Sequence, residues 1–570
     1  MRALAAVSVV LLLLLGGCAG SRTQTAPGSA PDATPGRTYE VPPATPVSFR
    51  MDDGVLLDGA AWDPDPQHRG PVILHLLPYA NMCPLHPDAP YPKPCAPGVG
   101  DDFWLDEYNG LPRELVRSGY TYVSVSVRGT GASGGCFSYL GERERKDVGL
   151  VLDQLAAGPW AGEVGMLGLS YMSITPLHAV LERPGRVKAV ILGGIGVDEY
   201  AFAYTPQGAS SLRSQVFWAG WLASVAAPPA ASLRSMLAYP ERSCPSLASL
   251  AVTYPLAHAS DERPADHFLE RRWLDRLAGQ QTAVLVVQGL RDVTGGQQVE
   301  ELWQALEGTP RAFVLGQWEH RFPDDALLEG SGLRWHALAS SWLDHYLREA
   351  PAPAVLGRVH AQVEGAGWTT FDAWPPLGGE VLHIGGGLTR HPTPASLAFR
   401  SHPLAEACDA RPGAWAAALS DPLPAATRLT GNPMAWLELR SSAPSATVAV
   451  DLWDVPGDDV CQGRLISLGA ADLRFRGDPF QGADVPVGVP FGLRVDLHAT
   501  AWEVPAGYRV GITFSSGGAY AAMGRPAEAL IEVLPGSHVV LPMDAGVGED
   551  VARQYPGRPL GVQWQRPGEP

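Results

Sequence analysis

The chain has 570 residues, of which 46% are apolar and 18% charged, and its formal net charge is -17 at neutral pH. A chain of this length is too long to pack around a single hydrophobic core, so we expect two or three domains. The 64 glycines and 53 prolines indicate many turns, while the apolar runs between them are typical of a globular protein. The negative charge and the lack of a basic stripe argue against nucleic acid as a partner.

The N-terminus resembles an export signal with a lipid attachment site. A basic residue precedes an apolar run over 3–15, which is too short to span a bilayer as a stable helix. The run ends in LGGC at Cys18, which is similar to the bacterial lipobox; a simple secretory signal with an incidental cysteine is the alternative. We therefore expect a lipoprotein signal peptide over 1–18, a Pro/Ser/Thr-rich tether over 19–44, and an exported protein anchored to the membrane by its lipid. Ala19 stands where an aspartate would favour the inner membrane, so an outer-membrane address is plausible.

Cysteine spacing predicts disulfides rather than a metal site. An even number of cysteines remains for the exported chain, and six cysteines allow 15 pairings: Cys83, Cys95, Cys136, Cys244, Cys408 and Cys461. Cys83 and Cys95 share one Pro-rich loop and are the easiest pair to close. No pair has the C-x-x-C or Cys/His spacing of a zinc site, and we expect no metal or organic cofactor.

An interrupted α/β domain is predicted over 45–197 and 277–350. Near-continuous apolar runs, typical of parallel strands covered on both faces, lie at 72–79, 120–129, 164–171, 187–196, 282–292 and 311–320. The mixed-charge segment 141–147 predicts the solvated start of a helix. A second helix is predicted after the last run, where apolar residues recur at helical spacing: Trp335, Leu338, Trp342 and Tyr346.

Two further regions complete the predicted architecture. The interruption over 198–276 lacks strand-like runs and has aromatic-rich helical stretches, which predicts a helical cap over the strand ends. Beyond 351 the sequence alternates apolar and polar residues between turns; one strand places Leu493, Val495 and Leu497 on one face and Arg494, Asp496 and His498 on the other. This pattern predicts an all-β jelly roll over 351–570.

Three of the apolar runs end in residues that could form a catalytic triad: Ser170, Asp292 and His320. Open α/β sheets place their sites at the carboxyl ends of strands, and the order Ser, Asp, His is that of α/β-hydrolases. A serine hydroxyl needs an imidazole to take its proton and a carboxylate to orient that imidazole. Singly, each residue also fits an ordinary role in a core, a turn or a surface. Together, in this order, they predict a Ser-His-Asp triad.

Two segments carry a resemblance to a known family. VSVRGTGASGGCF and ERERKDVGLVLDQLAAGPWAGEVGMLGLSYMS resemble the CocE/NonD family of cocaine esterase-like and X-Pro dipeptidyl-peptidase-like hydrolases. In that family the small residue after the nucleophile falls three positions on, so Met172 is compatible with the motif and Ser173 stands in for the family glycine. The resemblance covers nearly the whole mature chain and implies an α/β-hydrolase fold with a C-terminal jelly roll.

The resemblance also implies an oxyanion site. By this match Tyr79 offers its hydroxyl and Tyr171 its backbone N–H to the negative charge that develops on the substrate oxygen. A core tyrosine is the alternative for Tyr79.

The sequence does not determine the substrate. Amino-acid ester hydrolases of the family bind a free α-amine with acidic residues near the triad, but here Val293-Thr294-Gly295 follows the expected acid. Asp198 and Glu199 are the remaining candidates for substrate binding, with capping of the first cap helix as their alternative role.

We expect an exported serine hydrolase that cleaves small-molecule esters or amides, or short peptides. The alternatives are an X-Pro-type dipeptidyl-peptidase or aminoacyl hydrolase and, in a different class, a non-catalytic surface binding protein.

Overall fold

The computed structural model describes residues 38–67, 70–78, 105–205, 207–209, 262–263, 265–292, 298–376, 380–383, 397–400, 407–408, 413–516 and 529–543. The predicted signal peptide and most of the tether, with Cys18, lie outside these ranges, as do Tyr79, the Cys83/Cys95 pair and most of the predicted cap. Within the described ranges, no helix is both long and apolar enough to span a bilayer.

A ten-stranded sheet forms the first domain, in the order β1-β2-β4-β3-β5-β6-β7-β8-β9-β10. Strands β3 to β9 pair in parallel, while β1, β2 and β10 are antiparallel at the two edges. All six predicted apolar runs are strands of this sheet. The strands are β1 (Thr45–Arg50), β2 (Leu56–Trp62), β3 (Val72–Leu77), β4 (Thr121–Ser126), β5 (Val164–Leu169), β6 (Val187–Gly193), β7 (Ala283–Gly289), β8 (Arg311–Gly316), β9 (Val359–Val363) and β10 (Gly367–Phe371).

Helices cover both faces of the sheet and bury one apolar core on each face, as continuous apolar strands require. The described helices are α1 (Glu107–Arg117), α2 (Glu142–Ala157), α3 (Tyr171–Glu182), α4 (Glu199–Ala203), α5 (Ala265–Glu270), α6 (Val299–Ala305) and α7 (Trp335–Arg348). Helix α7 is the one predicted from its apolar spacing, and Trp335, Leu338 and Trp342 are buried in the core as expected.

The mixed-charge segment opens helix α2 as predicted, and it is solvated only in part. Glu142 and Lys146 are exposed, but Glu144 and Asp147 are each only 1% exposed. Asp147 accepts hydrogen bonds from the Nε and Nη2 atoms of Arg128 at 2.6 and 2.9 Å, which offset the cost of burying its charge. The segment alone does not predict this pairing because Arg128 comes from a neighbouring strand end.

The C-terminal domain is all β in its described parts, as predicted, with antiparallel strands around its own apolar core. The strands are β11 (Glu380–His383), β12 (Leu397–Arg400), β13 (Ala416–Leu419), β14 (Thr427–Gly431), β15 (Met434–Ser441), β16 (Thr447–Val455), β17 (Arg464–Asp472), β18 (Phe491–Asp496), β19 (Thr500–Val504), β20 (Arg509–Ser515), β21 (Leu530–Val533) and β22 (His538–Leu541). Cys408 and Cys461 form a disulfide, and Cys136 of the first domain is also disulfide-bonded.

The domain boundary expected at residue 351 does not coincide with the end of the first sheet. Strands β9 and β10 follow that residue, yet β9 pairs with β8 and extends the first sheet. Strand β9 alternates buried and half-buried residues, and β10 is half-buried or exposed throughout, as in an edge hairpin. The sequence pattern does not distinguish such a hairpin from strands of a sandwich.

The two domains share buried contacts. Phe480, Ala499 and Ala501 of the β-domain belong to the apolar cluster on one face of the first sheet. The Nε2 atom of Gln317, just after β8, donates to the backbone oxygen of Ala501 at 2.9 Å. The β-domain is therefore packed against the sheet edge that carries the predicted triad.

Candidate active site

Ser170 lies on a strained turn between strand β5 and helix α3. Its φ and ψ are 63° and -130°, a backbone conformation that residues with a side chain rarely adopt. A Cβ atom at Gly168 would lie 1.9 Å from the carbonyl oxygen of Met172, so only glycine permits this close crossing of strand and helix. Ser173 is fully buried and its hydroxyl donates to the Ser170 carbonyl at 2.5 Å. The turn therefore accepts Met172 and Ser173, and it presents Ser170 as in a nucleophile elbow.

Asp292 and His320 meet at the same edge of the sheet. Gly289 pairs with Gly316 at the ends of β7 and β8, so the two residues follow neighbouring strand ends at a similar height. The Nδ1 atom of His320 lies 2.7 Å from the Oδ2 atom of Asp292. The aspartate side chain is 1% exposed and the histidine side chain 36%, which leaves the imidazole open to a substrate.

The end of strand β6 links this pair to Ser170. The backbone N–H of Ser170 donates to the carbonyl of Gly193 at 2.9 Å. A Cβ atom on Gly194 would lie 2.6 Å from the Cε1 atom of His320, so the imidazole packs directly against this glycine. The three predicted triad residues are thus gathered around one turn.

Gln288 and Trp318 hold the Asp292 and His320 loops, and the role of Gln288 is not predicted by the sequence. The Nε2 atom of Gln288 donates to Asp292 Oδ2 at 3.1 Å, and its Oε1 atom accepts from the backbone of Ile195. Trp318 is 2% exposed and packs against Gly316 between the two strand ends. A buried glutamine in a strand carries no sequence signal for this role.

His498 of the β-domain also approaches the aspartate, a contact that the alternating pattern alone did not indicate. It is 4% exposed, and its main chain is fixed by bonds to Leu468 and Ser467. Burial lowers the pKa of His498 to about 4, and the nearby carboxylate of Asp292 raises that pKa, so the imidazole is neutral at neutral pH.

A cleft with about 380 Å³ of empty space opens over Ser170. Its lining is mostly apolar, with one acidic side chain: Tyr139, Leu140, Ser170, Tyr171, Ile174, Gly194, Gly196, Glu199 and Trp273. Pockets of this kind bury an apolar group and fix its orientation with few polar atoms.

The structure separates the two candidate substrate-binding acids. Asp198 does not line the cleft; its Oδ1 atom caps helix α4 by accepting from the Tyr200 N–H at 2.8 Å, the alternative role considered for it. Burial raises the pKa of Asp198 to about 6, while Arg272 and the capped N–H groups lower it. Glu199 does line the cleft, 3.2 Å from His267 Nε2 and 3.3 Å from Arg271 Nε.

The structure describes one of the two predicted oxyanion residues. Tyr171 begins helix α3, and the first N–H groups of a helix have no acceptor within that helix, which suits one of them to a developing negative charge. Tyr79 lies outside the described residues. Among the residues that are described, no cluster of three or more His, Cys, Asp or Glu side chains has the arrangement of a metal site.

Two family models match this architecture. Residues 53–321 match the X-Pro dipeptidyl-peptidase of the S15 family, and residues 352–529 match the X-Pro dipeptidyl-peptidase C-terminal non-catalytic domain. The chain belongs to the CocE/NonD, X-Pro dipeptidyl-peptidase-like family. This assignment confirms the family expected from the sequence, and the family is one of serine hydrolases of the esterase or X-Pro peptidase type.

Individual family members and solved structures agree with this assignment. The cocaine esterase of Rhodococcus sp. (strain MB1 Bresler) is 25% identical over 303 residues, 49% of this chain, and the chain spans about half (49%) of the length of that esterase. An aminopeptidase from a marine sediment Thaumarchaeota archaeon has a TM-score of 0.68 at 18% identity, over 92% of this chain and all of that one. An α-amino acid ester hydrolase has the same score and identity, over 91% and 98%. At such identities these structures show the shared fold.

Proposed function

We propose that the chain is an exported acyl esterase that works through Ser170, His320 and Asp292. The observation that carries the proposal is the 2.7 Å contact between His320 Nδ1 and Asp292 Oδ2, beside the strained turn of Ser170. The aspartate fixes the imidazole with a proton on Nδ1, which leaves Nε2 to take the proton of the serine hydroxyl.

The reaction follows from these positions. Ser170 attacks the acyl carbonyl, and the backbone N–H of Tyr171 with the hydroxyl of Tyr79 stabilises the negative oxygen of the tetrahedral intermediate. His320 then returns its proton to the leaving alcohol, and an acyl-enzyme forms on Ser170. Water, activated by the same imidazole, releases the acid and restores the serine.

The cleft supports an uncharged acyl group as the substrate. Its walls are aromatic and aliphatic, and Glu199 already faces two basic side chains, Arg271 and His267. A substrate ammonium would have to compete with this arrangement and lose its own hydration. An X-Pro-type dipeptidyl-peptidase remains the second candidate because Glu199 does reach the cleft.

We expect N-acetylated aminoacyl esters and simple acyl esters to be hydrolysed at least as fast as esters with a free α-amine. Comparing kcat/KM for p-nitrophenyl esters with kcat/KM for Xaa-Pro nitroanilides, free and N-acetylated, tests this expectation. A preference of about a hundredfold for free-amine Xaa-Pro substrates would instead favour the dipeptidyl-peptidase, because discrimination of that size requires a charged contact. Glu199→Gln should then abolish the preference.

Export and lipid anchoring are the second part of the proposal. The disulfide between Cys408 and Cys461 and the bonded state of Cys136 suit an oxidising compartment outside the cytoplasm. The lipobox-like sequence ending at Cys18 supplies an acylation site, and an outer-membrane address is compatible with Ala19.

Cys18→Ser is expected to release the protein from the membrane fraction or to leave it unprocessed, because acylation needs the thiol. Fractionation of expressing cells, with labelling by a clickable fatty acid, measures both effects. Ala19→Ser serves as a matched control and should remain acylated. A Cys18→Ser protein that is processed and still pellets with the membranes would show that another anchor operates.

A further inference from the structure

One wall of the cleft is held in a strained conformation. Tyr139 and Leu140 line the cleft together with Ser170, and their φ angles are 48° and 59°. Residues with side chains pay about 1 kcal/mol or more each in this left-handed region, so surrounding contacts must maintain it. A wall that depends on such contacts can relax when one of them is lost.

A buried carboxylate supplies the contacts to this wall from helix α2. The Oε2 atom of Glu144 accepts from the backbone N–H of Leu140 at 3.2 Å, and its Oε1 atom accepts from the Tyr171 hydroxyl at 2.5 Å. The Leu140 N–H also faces that hydroxyl at 3.2 Å. Glu144, Tyr171 and Leu140 are 1%, 4% and 6% exposed, so water does not replace these bonds.

The opposite side of the wall is held from the region of the predicted cap. Arg271 donates from Nε to the carbonyl of Tyr139 at 2.8 Å and from Nη2 to that of Ser138 at 3.0 Å. Arg271 therefore fixes the carbonyls of the wall, whereas Glu144 fixes an N–H and joins the wall to the residue that follows the nucleophile.

We propose that Glu144 is a positioning residue: its side chain bonds the Tyr139–Leu140 wall to Tyr171 and so determines which acyl groups reach Ser170. The inference rests on the proposed acyl transfer and adds to it a determinant of acyl specificity. Glu144 acts through the wall and does not touch the reacting atoms.

The wall depends on two hydrogen bonds made by the side chain at position 144. The Leu140 N–H needs an oxygen acceptor, whereas the Tyr171 hydroxyl can either donate to an oxygen or accept from an N–H or O–H group. An amide in place of the carboxylate can therefore keep both bonds. Glu144→Gln should preserve the wall, and Glu144→Ala should remove both of its bonds to Glu144.

The preference between acyl groups should follow these two bonds, so Glu144→Gln should retain it and Glu144→Ala should change it. This difference separates a positioning role from a merely structural one, which would lower the rates for short and long acyl groups alike.

The experiment compares the full-length wild type with Glu144→Ala and Glu144→Gln, and with Glu142→Gln as a control that removes an exposed carboxylate from the same helix turn. The rate of covalent labelling of Ser170 is measured at neutral pH with a methyl and with an octyl fluorophosphonate. Glu144→Ala should change the octyl-to-methyl rate ratio about tenfold or more, whereas Glu144→Gln and the control should keep the wild-type ratio.

A Glu144→Ala protein with the wild-type ratio would overturn the inference while leaving the proposed function intact. Wild type that is not labelled at all would overturn the proposed function itself. Should Glu144→Ala fail to fold, Tyr171→Phe provides the test: it removes the hydroxyl that joins Glu144 to the residue after the nucleophile, so the ratio should change in that variant. An unchanged ratio in Tyr171→Phe would also overturn the inference.

Discussion

Ser170→Ala is expected to lower kcat for ester hydrolysis by about 10⁶-fold, the effect of losing the nucleophile of a serine hydrolase. The residue begins acyl transfer in the proposed mechanism, and the nearby hydroxyl of Ser173 does not replace it because that hydroxyl donates to the carbonyl of Ser170. Steady-state kinetics with a p-nitrophenyl ester measures the loss, and fluorophosphonate labelling of the variant should be absent.

The same change should leave the fold intact. Alanine and serine have similar difficulty in adopting the positive φ of position 170, so the backbone strain is nearly unchanged, and the half-buried side chain loses only its hydroxyl. Thermal unfolding should therefore match that of the wild type. Ser341→Ala, on helix α7 away from the cleft, is the matched control and should retain full activity. Activity of Ser170→Ala within tenfold of wild type would refute the assignment of the nucleophile.

The sheet and the positions of the three residues of the proposed triad at its strand ends were predictable because two physical constraints act on them directly. Parallel strands that are covered on both faces must be continuously apolar, and the strands that end near Ser170, Asp292 and His320 satisfy this pattern. Sites of open α/β sheets lie at carboxyl strand ends, so chain order and strand ends together indicate which residues meet.

Buried polar residues were harder to predict because their partners are distant in the sequence. Glu144 and Asp147 look solvated within a mixed-charge segment, yet their partners Tyr171 and Arg128 come from other elements. Gln288 looks like an interruption of an apolar strand, and only the fold shows that it reaches Asp292.

In the β-domain, too, polar residues have partners that are distant in the sequence. On the polar face predicted for strand β18, Asp496 accepts a hydrogen bond from Gln207 of the first domain, and His498 beyond the strand is buried near Asp292. Alternation identifies two faces of a strand without showing what covers each face. A polar face can therefore be an interdomain contact, as it is here.

Asp292→Ala is expected to lower kcat by about 10⁴-fold with little change in KM, the size of effect found when the triad acid of a serine protease is removed. Without the carboxylate, His320 loses its 2.7 Å contact at Nδ1 and, with it, the selection of the tautomer that leaves Nε2 free. Asp372→Ala, which removes a side chain that is 92% exposed, is the control and should be fully active.

The surroundings of Asp292 indicate that this variant still folds. The Nε2 atom of Gln288 also donates to the Gly289 carbonyl at 3.1 Å, so it keeps an acceptor when the carboxylate is gone. The Asp292 charge raises the pKa of His498, so its removal lowers that pKa further and His498 stays neutral. Neither Gln288 nor His498 is left as a buried charge without a partner. The circular dichroism spectrum of Asp292→Ala should therefore match that of the wild type. A fall in kcat below tenfold would mean that another group orients His320.

Asp292→Asn separates the orientation of the imidazole from its charge stabilisation. Both Gln288 Nε2 and His320 Nδ1 face the same oxygen, Oδ2, so the introduced amide should place its oxygen there and keep both bonds. The variant would then retain the correct tautomer and lose only the negative charge that stabilises the imidazolium. We expect its kcat to fall by about 10- to 100-fold, since a hydrogen bond to a charged acceptor exceeds a neutral one by 1–2 kcal/mol. A loss as large as that of Asp292→Ala would show that the amide turns its nitrogen toward His320.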